Sequence, residues 1–73
     1  MFENQETAKL TLHTFLRINE QMDAAIVAVQ ARSSPEEYKA FKLGVGYVMA
    51  ESFEKIIVPI CNRHPELKPT EMK

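Results

Sequence analysis

The apolar positions in the first half of the chain follow an unbroken repeat. Ala8, Leu12, Phe15, Asn19, Met22, Ile26 and Val29 succeed one another at alternating spacings of four and three, and only Asn19 among them is polar. This is a heptad seam, with Ala8, Phe15, Met22 and Val29 at d and Leu12, Asn19 and Ile26 at a. Neither glycine nor proline interrupts residues 4–32, so the pattern predicts one long helix there. Asn4 stands at the N-cap position, and Glu6 lies near the positive end of the helix dipole.

Ser34-Pro35-Glu36-Glu37 is the sharpest local signal. A serine cap, a proline in the first helical position and a glutamate three residues after the cap make a capping box with a pre-set first turn. It closes the first helix and opens a second over residues 35–60. The link between them is so short that the helices must run antiparallel as neighbours. Pro59 cannot donate to the carbonyl of Lys55, which predicts a kink or an end there. The pattern therefore gives an all-α fold, an antiparallel helical hairpin over residues 1–61. Residues 62–73, with two prolines and no apolar period, read as an extended, frayed tail in which Leu67 is a possible anchor.

The second helix is apolar on two sides. At about 100° per residue, Tyr38, Phe41, Val45, Met49, Ser52, Phe53, Ile56 and Ile60 form one stripe. Leu43, Tyr47, Ala50, Ile57, Val58 and Cys61 populate the other. A helix with one partner needs one stripe, so a second stripe implies a second partner. The simplest arrangement packs small residues closely at the hairpin end, Ala24 and Ala28 against Gly44 and Gly46. The seam residues Leu12, Phe15, Asn19, Met22, Ile26 and Val29, with Val45, Met49, Phe53 and Ile56, then face another copy of the chain. Two hairpins would form a homodimeric four-helix bundle. The opposite assignment, which exchanges the two faces, fits the pattern as well.

Composition narrows the class. With 73 residues, the chain holds one domain near the lower size limit for independent stability. Cys61 is the sole cysteine, which excludes an internal disulfide and fits a reducing, cytoplasmic setting. The polar, acidic start is not a signal peptide, and the apolar runs 43–50 and 56–61 are too short to span a membrane. A net charge of −1 with both signs dispersed disfavours general nucleic-acid binding.

Few residues suggest chemistry. Cys61 and His64, three apart, could contribute two metal ligands from one helical turn, but the flanking prolines and the lack of a second pair make a buried cysteine and a dipole-facing histidine the simpler reading. Gly44-Val45-Gly46 lacks the strand and lysine of a phosphate loop; it suits close packing or a shallow pocket. His13, Arg17 and Glu20 share one helix face without a nucleophile in reach, and read as solvated. Tyr38 and Tyr47 read as core-edge residues.

No catalytic residue, cofactor or resident metal is expected. The leading expectation is a non-enzymatic interaction protein, a dimeric adaptor or regulator that binds itself and another protein. The alternative is a nucleic-acid-binding bundle, which needs Arg17, Arg32, Lys39 and Lys42 to converge; a small enzyme or metal protein ranks third.

Overall fold

A computed structural model describes residues 1–68 of the chain. It contains α1 (Gln5–Arg32), α2 (Pro35–Ser52), a π-type turn (Phe53–Ile57), α3 (Val58–Arg63) and a 3-10 turn (Pro65–Leu67). The π turn and α3 continue α2, so the architecture is two long antiparallel helices in contact, a hairpin of 45 × 20 × 16 Å. The long axis is close to the roughly 42 Å that a 28-residue helix spans at 1.5 Å per residue.

The predicted caps form as the sequence indicates. The Asn4 side chain accepts from the Thr7 amide at 3.0 Å. Ser34 Oγ accepts from the Glu37 amide at 3.2 Å, and Glu37 Oε1 accepts from the Ser34 amide at 3.0 Å. Ser33 finishes α1 by donating its hydroxyl to the Val29 carbonyl. These bonds occupy amides and a carbonyl that a helix end leaves without partners, and they fix the reversal within two residues.

Pro59 does not end the helical path, which continues to Arg63. The chain instead widens one turn before the proline: the Val58 amide bonds to the Phe53 carbonyl, five residues back. Proline has no amide hydrogen, and its ring collides with the carbonyl four residues earlier. A wider turn relieves that collision and inserts the equivalent of one residue into the helix. Everything downstream is rotated by about 100° relative to a continuous α-helix.

That rotation decides what forms the core. Ile57, Ile60, Cys61 and His64 turn inward to 0%, 0%, 6% and 8% exposure. Ile57, Ile60 and Cys61 pack with Ala8 and Leu12 of α1, and Phe2, Phe15, Leu16, Ile56 and Leu67 close around them. A regular helix would place Ile57 and Cys61 on the second side; the π turn brings them onto the first. The buried core therefore lies at the open end of the hairpin, and α2 has no fully buried residue.

The chain after Cys61 also belongs to the folded unit, contrary to the tail expected from its prolines. Asn62 and Arg63 complete α3, His64 is buried, and Leu67 packs on the core. Only the expectation for residues 69–73 lies outside the described residues.

The anticipated division of faces is reversed as well. Leu12 is buried, and Phe15, Asn19, Met22, Ile26 and Val29 are half-buried on the side of α1 turned toward α2. Val45, Met49 and Ile56 are half-buried opposite them, whereas Phe53 remains 44% exposed. The seam is thus used within one hairpin. Ala24, Ala28, Gly44 and Gly46 are exposed, and a Cβ built on either glycine would meet nothing within 4 Å. The larger side chains win the shared face because they bury more apolar area per residue.

Asn19 sits in this face with its side-chain oxygen buried and without a hydrogen-bond partner among the described residues. Such an atom costs on the order of 1–3 kcal/mol. Asn19→Leu should therefore raise the thermal midpoint, by an amount equivalent to about 1 kcal/mol; an unchanged or lower midpoint in a calorimetric scan would show that the amide is better solvated than its packing indicates.

The capping box supplies a pH test. Its bonds from the Ser34 backbone and side chain hold the Glu37 carboxyl below the usual carboxylate range. A carboxylate more acidic in the folded state stabilises that state above its unfolded pKa, and the contribution disappears as pH falls through the lowered value. On acidification through the carboxylate range, the wild-type midpoint should drop more than that of Glu37→Gln, and parallel curves in a pH series would refute the linkage.

Candidate interaction surface

The outer side of α2 points away from α1 and carries the side chains left over when the inner stripe is buried. Leu43, Tyr47 and Val48 are 63%, 67% and 57% exposed. Gly46 has no side chain between Leu43, Tyr47 and Ala50, and this gap makes an open depression of about 550 Å³. Lys39 and Lys42 complete its lining. The surface is thus an apolar strip with a bare-backbone floor and a basic rim at its N-terminal end.

The charges around the strip are arranged along the helix. Lys42 Nζ lies 5.8 Å from the centre of the Tyr38 ring, at the edge of cation–π reach. Toward the C-terminal end, Glu51 and Lys55 pair at 2.7 Å across one helical turn. Glu51 accordingly holds the Lys55 ammonium above its ordinary range. Glu54, one turn on from Ala50, is exposed. The outer face therefore runs from basic to acidic along its length.

A second, smaller depression of about 260 Å³ lies over α3, lined by Phe53, Val58, Cys61, Asn62, Pro65 and Lys68. Burial pushes the Cys61 thiol up, so at neutral pH it is a protonated, weakly nucleophilic group. The other weak metal candidate, His64, is already engaged. Its Nε2 lies 2.7 Å from the Phe2 carbonyl, to which the N–H donates, and its Nδ1 lies 3.5 Å from Glu66 Oε2. Gln5 donates to the same Glu66 oxygen at 3.0 Å. The His64–Phe2 and Gln5–Glu66 bonds clasp the two ends of the chain over the core. Among the described residues, no group of three or more metal-ligating side chains comes together.

The remaining candidates are dispersed. His13, Arg17 and Glu20 stand exposed on α1. Of the four basic residues grouped by sequence, Lys39 and Lys42 share the outer α2 surface, while Arg17 lies halfway along α1 and Arg32 in its last turn. Tyr38 is half-buried, and Tyr47, expected at the core edge, projects into solvent instead. The sequence pattern marks the residues of this surface as a second apolar side that implies a second partner, and Gly46 lies at its centre.

No protein-family model matches the chain, and neither the curated proteins nor the solved structures contain a match to it. Among the described residues, no helix is long and apolar enough to cross a membrane.

The clasp predicts a structural effect. His64→Ala removes the donor to Phe2 and opens space beside Ile60 and Cys61, and it should lower stability by about 1–3 kcal/mol. Amide exchange should accelerate in α3 and the first turn of α1 before it does at the hairpin turn; uniform acceleration would contradict a local clasp.

Proposed function

We propose that the protein is a non-enzymatic helical interaction module, a homodimeric adaptor or regulator that presents its remaining surface to another protein. The observation that carries this reading is the outer α2 strip. A run of exposed large apolar side chains around a glycine-floored depression is unusual on a monomeric surface and common where another chain packs. Both depressions are shallow and open, which suits contact with a helix better than enclosure of a small reactant.

The surface area supports the same reading. The chain exposes 5490 Å², whereas a compact monomer of this mass exposes about 4,600 Å². The difference, about 890 Å², is slightly more than the roughly 800 Å² that each partner contributes to a stable interface. Two hairpins joined in this way would form a four-helix assembly, which offers the second partner implied by a two-sided α2. The single buried, reduced Cys61 is compatible with a cytoplasmic setting.

Sedimentation equilibrium on the full chain from about 1 to 100 µM tests the reading. A molecular mass twice that of the chain is expected within this range, in line with the micromolar affinities that modest helical interfaces reach. A monomer throughout would overturn it.

A further inference from the structure

The depression over Gly46 is chemically one-sided. Its lining is the side chains of Leu43, Tyr47 and Ala50, the bare backbone of Gly46, and two lysines, Lys39 and Lys42. No carboxylate lines it. Both lysines are exposed, and neither enters an ion pair among the described residues. Lys42 stands 5.8 Å from the Tyr38 ring, a contact that leaves the ammonium charge uncancelled. Lys55 makes the contrast, because Glu51 neutralises it at 2.7 Å from one turn away.

The six lining positions all lie in the regular part of α2, ahead of the wide turn. At 100° per residue, Lys39, Lys42 and Gly46 fall within about 60° of one another along one edge, and Leu43 and Tyr47 fall about 40° apart along the other. From Lys39 to Ala50 the strip is about 16.5 Å long, the length of three helical turns. A Cβ at position 46 would meet nothing within 4 Å, so the gap there opens outward.

These features set what an occupant must bring. It needs a large apolar side chain over Gly46, and carboxylates about one and two turns away along the basic edge, where Lys42 and Lys39 stand. A straight, three-turn strip meets both needs along one face of a helix. We infer that the outer strip of α2 is the docking site for an amphipathic helix of another protein, whose apolar stripe is flanked by Asp or Glu. This rests on the interaction-module reading above, and it assigns the strip to the protein partner of that reading, not to the second copy. A second copy is the poorer occupant. Strip against strip brings four of these ammoniums into one interface, and the lining supplies no carboxylate to meet them. An extended anionic surface also fits poorly, because it meets Glu36 and Glu51, exposed at the two ends of the strip. A helix places its carboxylates locally.

The probes are two synthetic amphipathic helices of about 16 residues, one turn longer than the strip. Both carry a leucine stripe, flanked by glutamates in one and by lysines in the other. Each is titrated at low salt into the isotope-labelled full chain and followed by amide shifts. The glutamate peptide should shift the amides of Lys39, Lys42, Leu43, Gly46 and Tyr47, with a dissociation constant of about 10–100 µM. The lysine peptide should bind at least about tenfold more weakly. That comparison needs only the wild-type chain. The Lys39→Glu, Lys42→Glu double variant should reverse the preference, and Gly46→Leu, which fills the gap, should weaken the glutamate peptide about tenfold. All three positions are exposed, and circular dichroism checks that the variants fold. No saturable shift with the glutamate peptide, equal binding of both peptides, or a folded double variant that keeps the wild-type preference overturns the inference. Tighter binding to phosphatidylglycerol vesicles than to the glutamate peptide assigns the strip to a membrane and overturns it too. Sedimentation equilibrium on the same samples separates this site from self-association. A monomer that binds the glutamate peptide at the strip supports the docking site and overturns the dimer. A dimer whose strip amides shift on dilution and ignore the peptide leaves the dimer standing and overturns the docking site.

Discussion

The packing of this hairpin depends on how the chain passes Pro59. A proline in a helix must break its ladder, kink its axis or change the local register. Here the chain changes register through the wide turn at Phe53–Ile57. One extra residue is accommodated without breaking the rod, and the apolar positions after it are rotated onto the face that meets α1. Without that rotation, Ile57 and Cys61 would face away from Leu12, and the open end of the hairpin would lack two of its five buried apolar residues. The buried cluster is small, so the loss of two members would remove a large share of the apolar burial that opposes chain entropy in so short a domain.

The same turn explains the uneven distribution of order along the hairpin. Helix reversal is fixed by local hydrogen bonds at one end, through Ser34 and Glu37. Burial is concentrated at the other, where Ala8, Leu12, Ile57 and Ile60 meet and the His64–Phe2 bond draws the chain ends together. Between them the helices touch along half-buried side chains, with Asn19 and Ser52 contributing buried polar atoms that find no partner among the described residues. The middle of the molecule is therefore held least by its own contacts, and that is where the outer apolar strip lies. A partner seated there would stiffen the segment that the hairpin alone leaves weakest.

Much of this architecture is legible in the sequence because its causes are local. Asn4, Ser34, Pro35 and Glu37 act within one helical turn of their own positions, and the absence of glycine and proline through residues 4–32 is sufficient reason for a long helix. The 4-3 seam was legible as a face but not as the face used within the chain, since periodicity records which residues cluster and not what covers them. The phase change at Pro59 was out of reach for a related reason. A constant step of 100° per residue assigns Ile57 and Cys61 to the wrong side once the chain inserts a wide turn, and no residue type obliges that solution over a kink. The buried clasp from His64 to Phe2 joins positions at opposite ends of the chain, beyond any local pattern.

Correcting the phase also changes what the outer surface means. Read as a regular helix, α2 and its continuation have a second apolar side that runs almost to the end of the chain and has no particular centre. After the register shift, its C-terminal part is consumed by the core, and what remains is a shorter strip bounded by Lys39 and Glu54. Gly46 and Ala50 then have a clearer role. Each gives up a side chain that would have stabilised the isolated helix or covered its surface, and glycine in a helix costs about 1 kcal/mol relative to alanine. Inside the hairpin nothing lies within 4 Å of a side chain built at position 46. Helix stability and packing within the chain thus give no reason for glycine at position 46.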